Sequence, residues 1–334
     1  MRGNFGLATL ESAVVLMLSN ADVDSLLPPA DVITAVEDAM RAHEDGTALT
    51  PARQHLEWAQ NTLLTMPASA ADCVGVKLVS VVPGNSGRGL PVTNGVMVLI
   101  DSATGIPTAL ISAASLTAQR TGAVGAVGLK HIARRELTSV GIIGTGVQGA
   151  WQAIFASAVR PIRTIFFVAR SDLAASSFRA RVLAHAPGVS FERCRDAREL
   201  LERTDVIIAA TTSALPVLPD EPALLMNKHF ISIGSFKPTM QELPDAVYRL
   251  AGMLVIDSEQ ARTEVGDVVN PVARGILSDE NIFHIGELVV RRREMALERT
   301  TVFKSVGMAL YDLFVARAFL AAARRKGIGV AVRL

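Results

Sequence analysis

The stretch Ser139-Val140-Gly141-Ile142-Ile143-Gly144-Thr145-Gly146-Val147-Gln148-Gly149 decides the fold class of this 334-residue chain. Its apolar first half reads as a buried strand and its second half as a glycine-rich turn opening a helix. Gly144 permits the tight turn, Gly146 lets backbone approach a pyrophosphate, and Gly149 lets helix and strand pack closely. The helix start then offers free N–H groups and a positive dipole end to phosphate. A G-x-G-x-x-G run alone is weak, because glycine-rich turns are common in chains that bind nothing. Here a strand precedes it, a helix follows, and a second apolar run over residues 164–168 stands at the distance the motif requires.

The second run bears on the cofactor. A chain that binds NAD usually ends this strand on Asp or Glu, to take the ribose 2′-hydroxyl. Here the sequence reads Phe167-Val168-Ala169-Arg170-Ser171, with no acid at Ala169. Arg170 stands where a guanidinium grips a 2′-phosphate, and Ser171 adds a hydroxyl. The competing reading makes Arg170 a solvated loop cation. Asp172 is an acid placed later, at an expected helix N-cap. NADPH is therefore the expected cofactor, with NADH as the alternative.

Outward from the motif, apolar runs alternate with helical segments. Strands are expected over 139–143, 164–168, 205–210, 229–234 and 253–257, with a weaker one over 189–194. That rhythm implies β-α-β crossovers and a parallel sheet. The first third differs: short runs at 63–66, 74–82, 95–100 and 107–112 are joined by turns, which suggests an antiparallel sheet. A small-residue helix is expected over 115–132, packed closely on a neighbour. Residues 301–325 read as one widely buried helix that packs back on the first domain. The fold class is α/β: a Rossmann domain over 123–303, and an α+β substrate-binding and dimerisation domain over 1–122 and 304–334.

Composition narrows the function. Lys plus Arg number 33 and Asp plus Glu 32, so no electrostatic reason exists to expect a nucleic-acid or membrane-surface partner. Every long apolar stretch is broken before about 18 residues, too short to span a bilayer. Residues 13–18 could pass for a signal-peptide core, but Glu11 interrupts the approach and Arg2 is the only basic residue before it. Residues 1–16 read as a loose extension, with the fold starting near Met17. Cys73 and Cys194 lack metal spacing and read as buried thiols in a reducing, cytoplasmic setting.

Four motifs together carry a family resemblance. They are Gly75-Val76-Lys77-Leu78, Leu116-Thr117-Ala118-Gln119-Arg120-Thr121-Gly122-Ala123, Gly144-Thr145-Gly146-Val147-Gln148 and Thr300-Thr301-Val302-Phe303-Lys304-Ser305-Val306-Gly307. Over nearly its whole length the chain resembles the ornithine cyclodeaminase/mu-crystallin family. The resemblance implies a homodimer formed through the first domain, and an active site in the cleft between domains. It implies that Arg53, Lys77 and Arg120 hold a substrate carboxylate, with Lys77 and Arg120 catalytic. It adds Thr93, Thr121, Thr211, Ser235 and Val302 to the cofactor contacts Gly144, Thr145, Gly146, Val147, Gln148, Arg170 and Ser171. No metal is implied. The physical logic stands beside it: a planar carboxylate suits forked guanidinium groups, and a charged Lys77 in an apolar strand needs a partner. His55, near Arg53, reads as a structural or cleft-lining histidine.

One departure separates activities within the family. Its cyclodeaminases carry an aspartate after the strand matching Ile231–Gly234, and alignment places Phe236 there. A phenyl ring takes no proton and pairs with no ammonium. Reduction of a preformed cyclic imine needs no such acid. The expected activity is therefore NAD(P)H-dependent reduction of Δ1-pyrroline-2-carboxylate or Δ1-piperideine-2-carboxylate to proline or pipecolate. The alternatives are ornithine cyclodeaminase, an amino-acid (alanine) dehydrogenase, and a cofactor-loaded ligand-binding protein of the mu-crystallin type.

Overall fold

A computed structural model describes residues 14–70 and 72–333. Two sheets organise them. The larger has eight parallel strands, in the order Ile282–His284, Leu254–Ile256, Thr301–Lys304, His229–Ser232, Val206–Ala209, Ser139–Ile143, Thr164–Val168 and Ser190–Arg193. The order reverses at Ser139–Ile143, because the chain first steps outward to Thr164–Val168 and later returns to its other side with Val206–Ala209. The glycine-rich turn thus stands at the sheet's switch point, where open α/β sheets bind ligands.

The second sheet has seven strands, in the order Val330–Arg333, Val14–Leu18, Pro107–Ser112, Thr93–Asp101, Cys73–Val81, Asn61–Ala70 and Gln54–Trp58. All its pairings are antiparallel except Val14–Leu18 against Pro107–Ser112. Period-two alternation gives it two faces. Met66, Ala68, Gly75, Lys77, Met97, Leu99, Ala109 and Ile111 are buried on one, beneath the helix Ala309–Lys326. Val74, Val76, Leu78, Val96, Val98, Ile100 and Leu110 fall on the other and are only half-buried.

The helix Ala113–Ile132 reaches both sheets. Its small residues permit close approach: a Cβ on Gly122 would lie 2.6 Å from the Phe155 ring, and one on Gly128 would lie 2.3 Å from the Phe303 ring. Phe155 belongs to the helix Val147–Val159 that follows the glycine-rich turn, so the expected close neighbour is that helix.

Three expectations are corrected. Residues 301–304 form a strand in the middle of the parallel sheet, and the final helix begins only at Ala309. A short, fully buried strand has no alternation, so its pattern cannot be told from a buried helix. The fold begins by Val14, not near Met17: Val14–Leu18 is a strand held on both sides, and the remainder of the expected extension, 1–13, lies outside the described residues. Ser171, not Asp172, caps the helix Asp172–Leu183, accepting from the Ala174 amide at 3.2 Å.

Candidate active site

Lys77 sits in the strand Cys73–Val81 on the face covered by the C-terminal helix. Two residues earlier, Gly75 leaves that helix room: a Cβ there would lie 3.0 Å from Leu313. The next helical position inward is Asp312, fully buried, and it resolves what a charged lysine does in an apolar strand. Lys77 Nζ donates to Asp312 Oδ2 at 2.8 Å, and Arg120 Nε donates to Asp312 Oδ1 at 3.1 Å. One carboxylate therefore serves two cations. Among the described residues Nη1 and Nη2 of Arg120 have no protein acceptor. Burial pushes the Lys77 ammonium down to about 8, against the upward pull of Asp312 and with the downward push of Arg120 and Arg53.

Arg53 reaches the same place from the start of the strand Gln54–Trp58. Its Nη2 donates to the Gly307 carbonyl at 2.7 Å and stands 3.4 Å from Glu264 Oε2. Its buried Nε has no partner. Gly307 has φ +73°, and a Cβ there would lie 2.2 Å from Arg120 Nη1, so Gly307 touches both arginines as only glycine can. Asp257, after the strand Leu254–Ile256, fixes that loop. It accepts from Ser305 Oγ at 2.7 Å and from the Val306 and Gly307 amides at 2.9 Å. The structure thus brings the three expected cations together. His55 lies apart from them, exposed on Gln54–Trp58.

Thr121 ties this cluster to the glycine-rich turn. Its carbonyl accepts from Gln152 Nε2 at 2.8 Å, one helical turn beyond Gln148. In the turn itself Gly144 has φ +100°, and a Cβ there would strike the Ala210 carbonyl at 2.3 Å. A Cβ on Gly149 would lie 1.9 Å from the Gly144 carbonyl, so helix and turn are in contact. A Cβ on Gly146 would meet nothing within 4 Å, leaving the backbone open on the outside of the turn. Gln148 Oε1 is buried without a partner. An open glycine beside an orphaned acceptor, at a helix start, fits a dinucleotide.

The other expected cofactor residues divide. Thr145, Val147, Arg170 and Ser171 lie on or beside the two turns at the sheet's open edge, with Arg170 and Ser171 exposed. Thr211 follows Val206–Ala209 and Ser235 follows His229–Ser232. Their backbones hang on one buried acid, Glu242, which accepts from the amides of Thr211 at 2.7 Å, Gly234 at 2.6 Å and Ser235 at 3.2 Å. The Ser235 hydroxyl is given to the buried Asp267, which also takes Tyr248 Oη at 2.6 Å. Thr93 is exposed at the start of Thr93–Asp101. Val302 is 1% exposed inside the apolar core, so its side chain is not brought to the turn. Phe236 is 59% exposed on the loop after Ser235, and the Lys237 ammonium stands 5.7 Å from its ring centroid.

Asp312, Asp257, Glu242 and Gly307's contact with both arginines went unread in the sequence. Asp312 left a signal, a single acid within the apolar run from Met308 to Ala316.

The sequence model described as the ornithine cyclodeaminase/mu-crystallin family matches residues 13–327. The chain belongs to this family. Within it, a Δ1-pyrroline-2-carboxylate reductase of Bacillus cereus is 34% identical over 325 residues, covering 94% of this chain and 98% of that one. The structure of Thermococcus litoralis Δ1-pyrroline-2-carboxylate reductase, in complex with NADH and L-proline, superposes with a TM-score of 0.88 at 31% identity, covering 95% of this chain and 100% of that one. An archaeal alanine dehydrogenase dimer with bound NAD has a TM-score of 0.88 at 30% identity, covering 96% and 99%.

The Lys77 environment makes a prediction for this family member. The ammonium predominates below about 8 and is lost above it. An activity that uses the charged lysine should show kcat/KM falling as pH rises through that value. Asp312→Asn removes the charge that holds the proton on, so the falling limb should move to lower pH. A limb that stays in place in the variant would show that it reports some other group.

Proposed function

We propose that this chain reduces a small cyclic 2-imino acid, Δ1-pyrroline-2-carboxylate or Δ1-piperideine-2-carboxylate, to proline or pipecolate. The observation that carries it is the pairing of Lys77 and Arg120 on the one buried carboxylate of Asp312, with Arg53 joined to the same cluster through the Gly307 carbonyl. Lys77 and Arg120 share Asp312, and Arg53 pairs with the partly exposed Glu264, which leaves guanidinium N–H groups unspent for a substrate carboxylate. Arg120 and Arg53 orient that carboxylate by forked hydrogen bonds. The Lys77 ammonium stands within the same cluster, and a lysine titrating near 8 holds a proton loosely enough to share it with a ring nitrogen. A bound reduced nicotinamide supplies the hydride for C2. Holding the two reactants together accounts for much of the rate. The relatives named for this reaction support the reading.

Phe236 favours reductase over cyclodeaminase. Cyclodeamination takes hydride from a C2 that bears a free amine, then closes the ring with loss of ammonia, which requires an anion beside that nitrogen. Phe236 offers none, and the buried acid Asp267 is occupied by Ser232, Ser235, Tyr248 and two amides. Purified protein should oxidise NADPH with either cyclic imine, yet form neither proline nor ammonia from ornithine and catalytic NAD. Robust formation of both would overturn the reductase reading.

The preferred cofactor is NADPH. Arg170 makes no ion pair or hydrogen bond among the described residues, which leaves its guanidinium for a 2′-phosphate. The two solved relatives named above hold NADH and NAD, and the NADPH reading rests on the strand end of this chain alone. The two thiols are free and buried, in keeping with a reducing, cytoplasmic setting. Among the described residues no helix is long and apolar enough to cross a membrane. The two sheets support a two-domain division close to the expected 123–303 and 1–122 with 304–334, although the helix Ala113–Ile132 spans the first boundary and Lys304 still lies in the parallel sheet.

A homodimer is supported by the half-buried apolar face of the seven-stranded sheet, together with exposed Leu56 and Trp58 at its edge. A contiguous apolar face of this kind marks an association surface. Light scattering should give twice the chain mass, and Val76→Asp with Val98→Asp should return it to the monomer. A native chain that runs as a monomer at micromolar concentration would contradict this.

A further inference from the structure

We propose that Arg193 determines which dinucleotide this protein binds, by neutralising Asp172 and supplying a second cation for the 2′-phosphate. The proposal rests on the NADPH reading above. Arg193 ends the edge strand Ser190–Arg193, which runs parallel to Thr164–Val168 with Arg193 opposite Phe167. Both strands therefore deliver their last residues to the same end of the sheet, where the adenosine ribose of a dinucleotide lies in this fold. Arg193 Nη2 donates to the Ala169 carbonyl at 2.9 Å, and Nη1 donates to Asp172 Oδ1 at 2.5 Å. Ala169 is the position where NAD-binding chains carry their acid, so the guanidinium is anchored at the specificity position itself. Asp172 is otherwise open to solvent, with its side chain 99% exposed.

The charges decide what this corner prefers. Arg170 and Arg193 against Asp172 leave one net positive charge for a phosphate bearing close to two negative ones. Without Arg193, Arg170 and Asp172 cancel. Asp172 would then face the ribose as a free carboxylate, repelling a 2′-phosphate and accepting from a 2′-hydroxyl. An acid is thus present in this chain three residues after the position an NAD-binding site uses, and Arg193 masks it. The ordinary alternative is a surface ion pair that only staples the edge strand to the helix start.

Calorimetric titration of the dimeric protein with NADP⁺, NAD⁺, 2′,5′-ADP and 5′-AMP separates these readings without turnover. The proposal expects native protein to bind NADP⁺ and 2′,5′-ADP more tightly than their counterparts without the 2′-phosphate. Arg193→Ala should weaken NADP⁺ and 2′,5′-ADP by about tenfold or more, as loss of a charge-assisted pair does. It should leave NAD⁺ unchanged or tighter. Asp172→Asn should tighten NADP⁺ by about threefold and leave 5′-AMP unaffected, because only the phosphate senses the removed charge. Arg170→Ala tests the underlying reading. If Arg170→Ala costs NADP⁺ its advantage while Arg193→Ala leaves the NADP⁺ to NAD⁺ ratio within about twofold, the Arg193 proposal fails and the NADPH reading stands. If native protein prefers NAD⁺, the NADPH reading fails and takes this proposal with it. Equal weakening of both dinucleotides in Arg193→Ala, with a lowered melting temperature, assigns Arg193 to the edge strand alone and overturns the proposal.

Discussion

A single buried carboxylate, Asp312, carries the organisation of the cation cluster. A lysine ammonium and an arginine guanidinium withdrawn from water are costly unless paired, and each finds its pair in one of its two oxygens. The demand runs back into the sequence. Lys77 must fall on the inward face of its strand, Gly75 must be small enough to admit the helix, and Asp312 must be placed on that helix opposite both cations. Because the helix comes from the end of the chain and Lys77 from its first quarter, the pair forms only when the C-terminal helix docks on the seven-stranded sheet. Sharing one anion between two cations also keeps donors unspent, and those donors are what a carboxylate ligand needs.

The second organising constraint is backbone proximity. Gly307 lies against Arg120 and gives its carbonyl to Arg53, with its own amide held by Asp257. Glu242 does the corresponding work for the loops at Thr211 and Gly234–Ser235, collecting three amides on one carboxylate. Both acids sit beyond the ends of parallel strands, where the chain must turn without helical or ladder partners for its N–H groups. Buried acids therefore shape the loops after the parallel strands, while Arg53, Lys77 and Arg120 come from the other sheet and from the helix that bridges the two. The proposed chemistry divides in the same way, with charge recognition on one side and cofactor approach on the other.

How much of this could be read from the sequence depends on the range of the interaction. The strands 139–143, 164–168 and 107–112 were legible to the residue, because local apolar patterning and glycine turns bound them. The glycine-rich turn was legible with its roles, since its glycines answer to neighbouring strands and the helix start. Lys77 was readable as a cation in need of a partner, but the partner's identity was not: Asp312 lies 235 residues away, and only the fold pairs them. Thr301–Lys304 was misread because a four-residue strand buried on both faces carries no period. Asp172 was misassigned as a cap because Ser171, also a good capping residue, stands one position earlier. The resemblance sets Val302 among the cofactor contacts, while the fold buries its side chain in the core.

The claim that Asp312 primes Lys77 and Arg120 for a carboxylate is tested most directly by a crystal structure of the protein with NADP⁺ and L-proline. The account predicts the proline carboxylate on the free Nη groups of Arg120, with Arg53 beside it, Lys77 Nζ within hydrogen-bond reach of the ligand, and the Lys77–Asp312–Arg120 pairs intact. A ligand whose ammonium pairs directly with Asp312, or whose carboxylate lies away from both arginines, would contradict it.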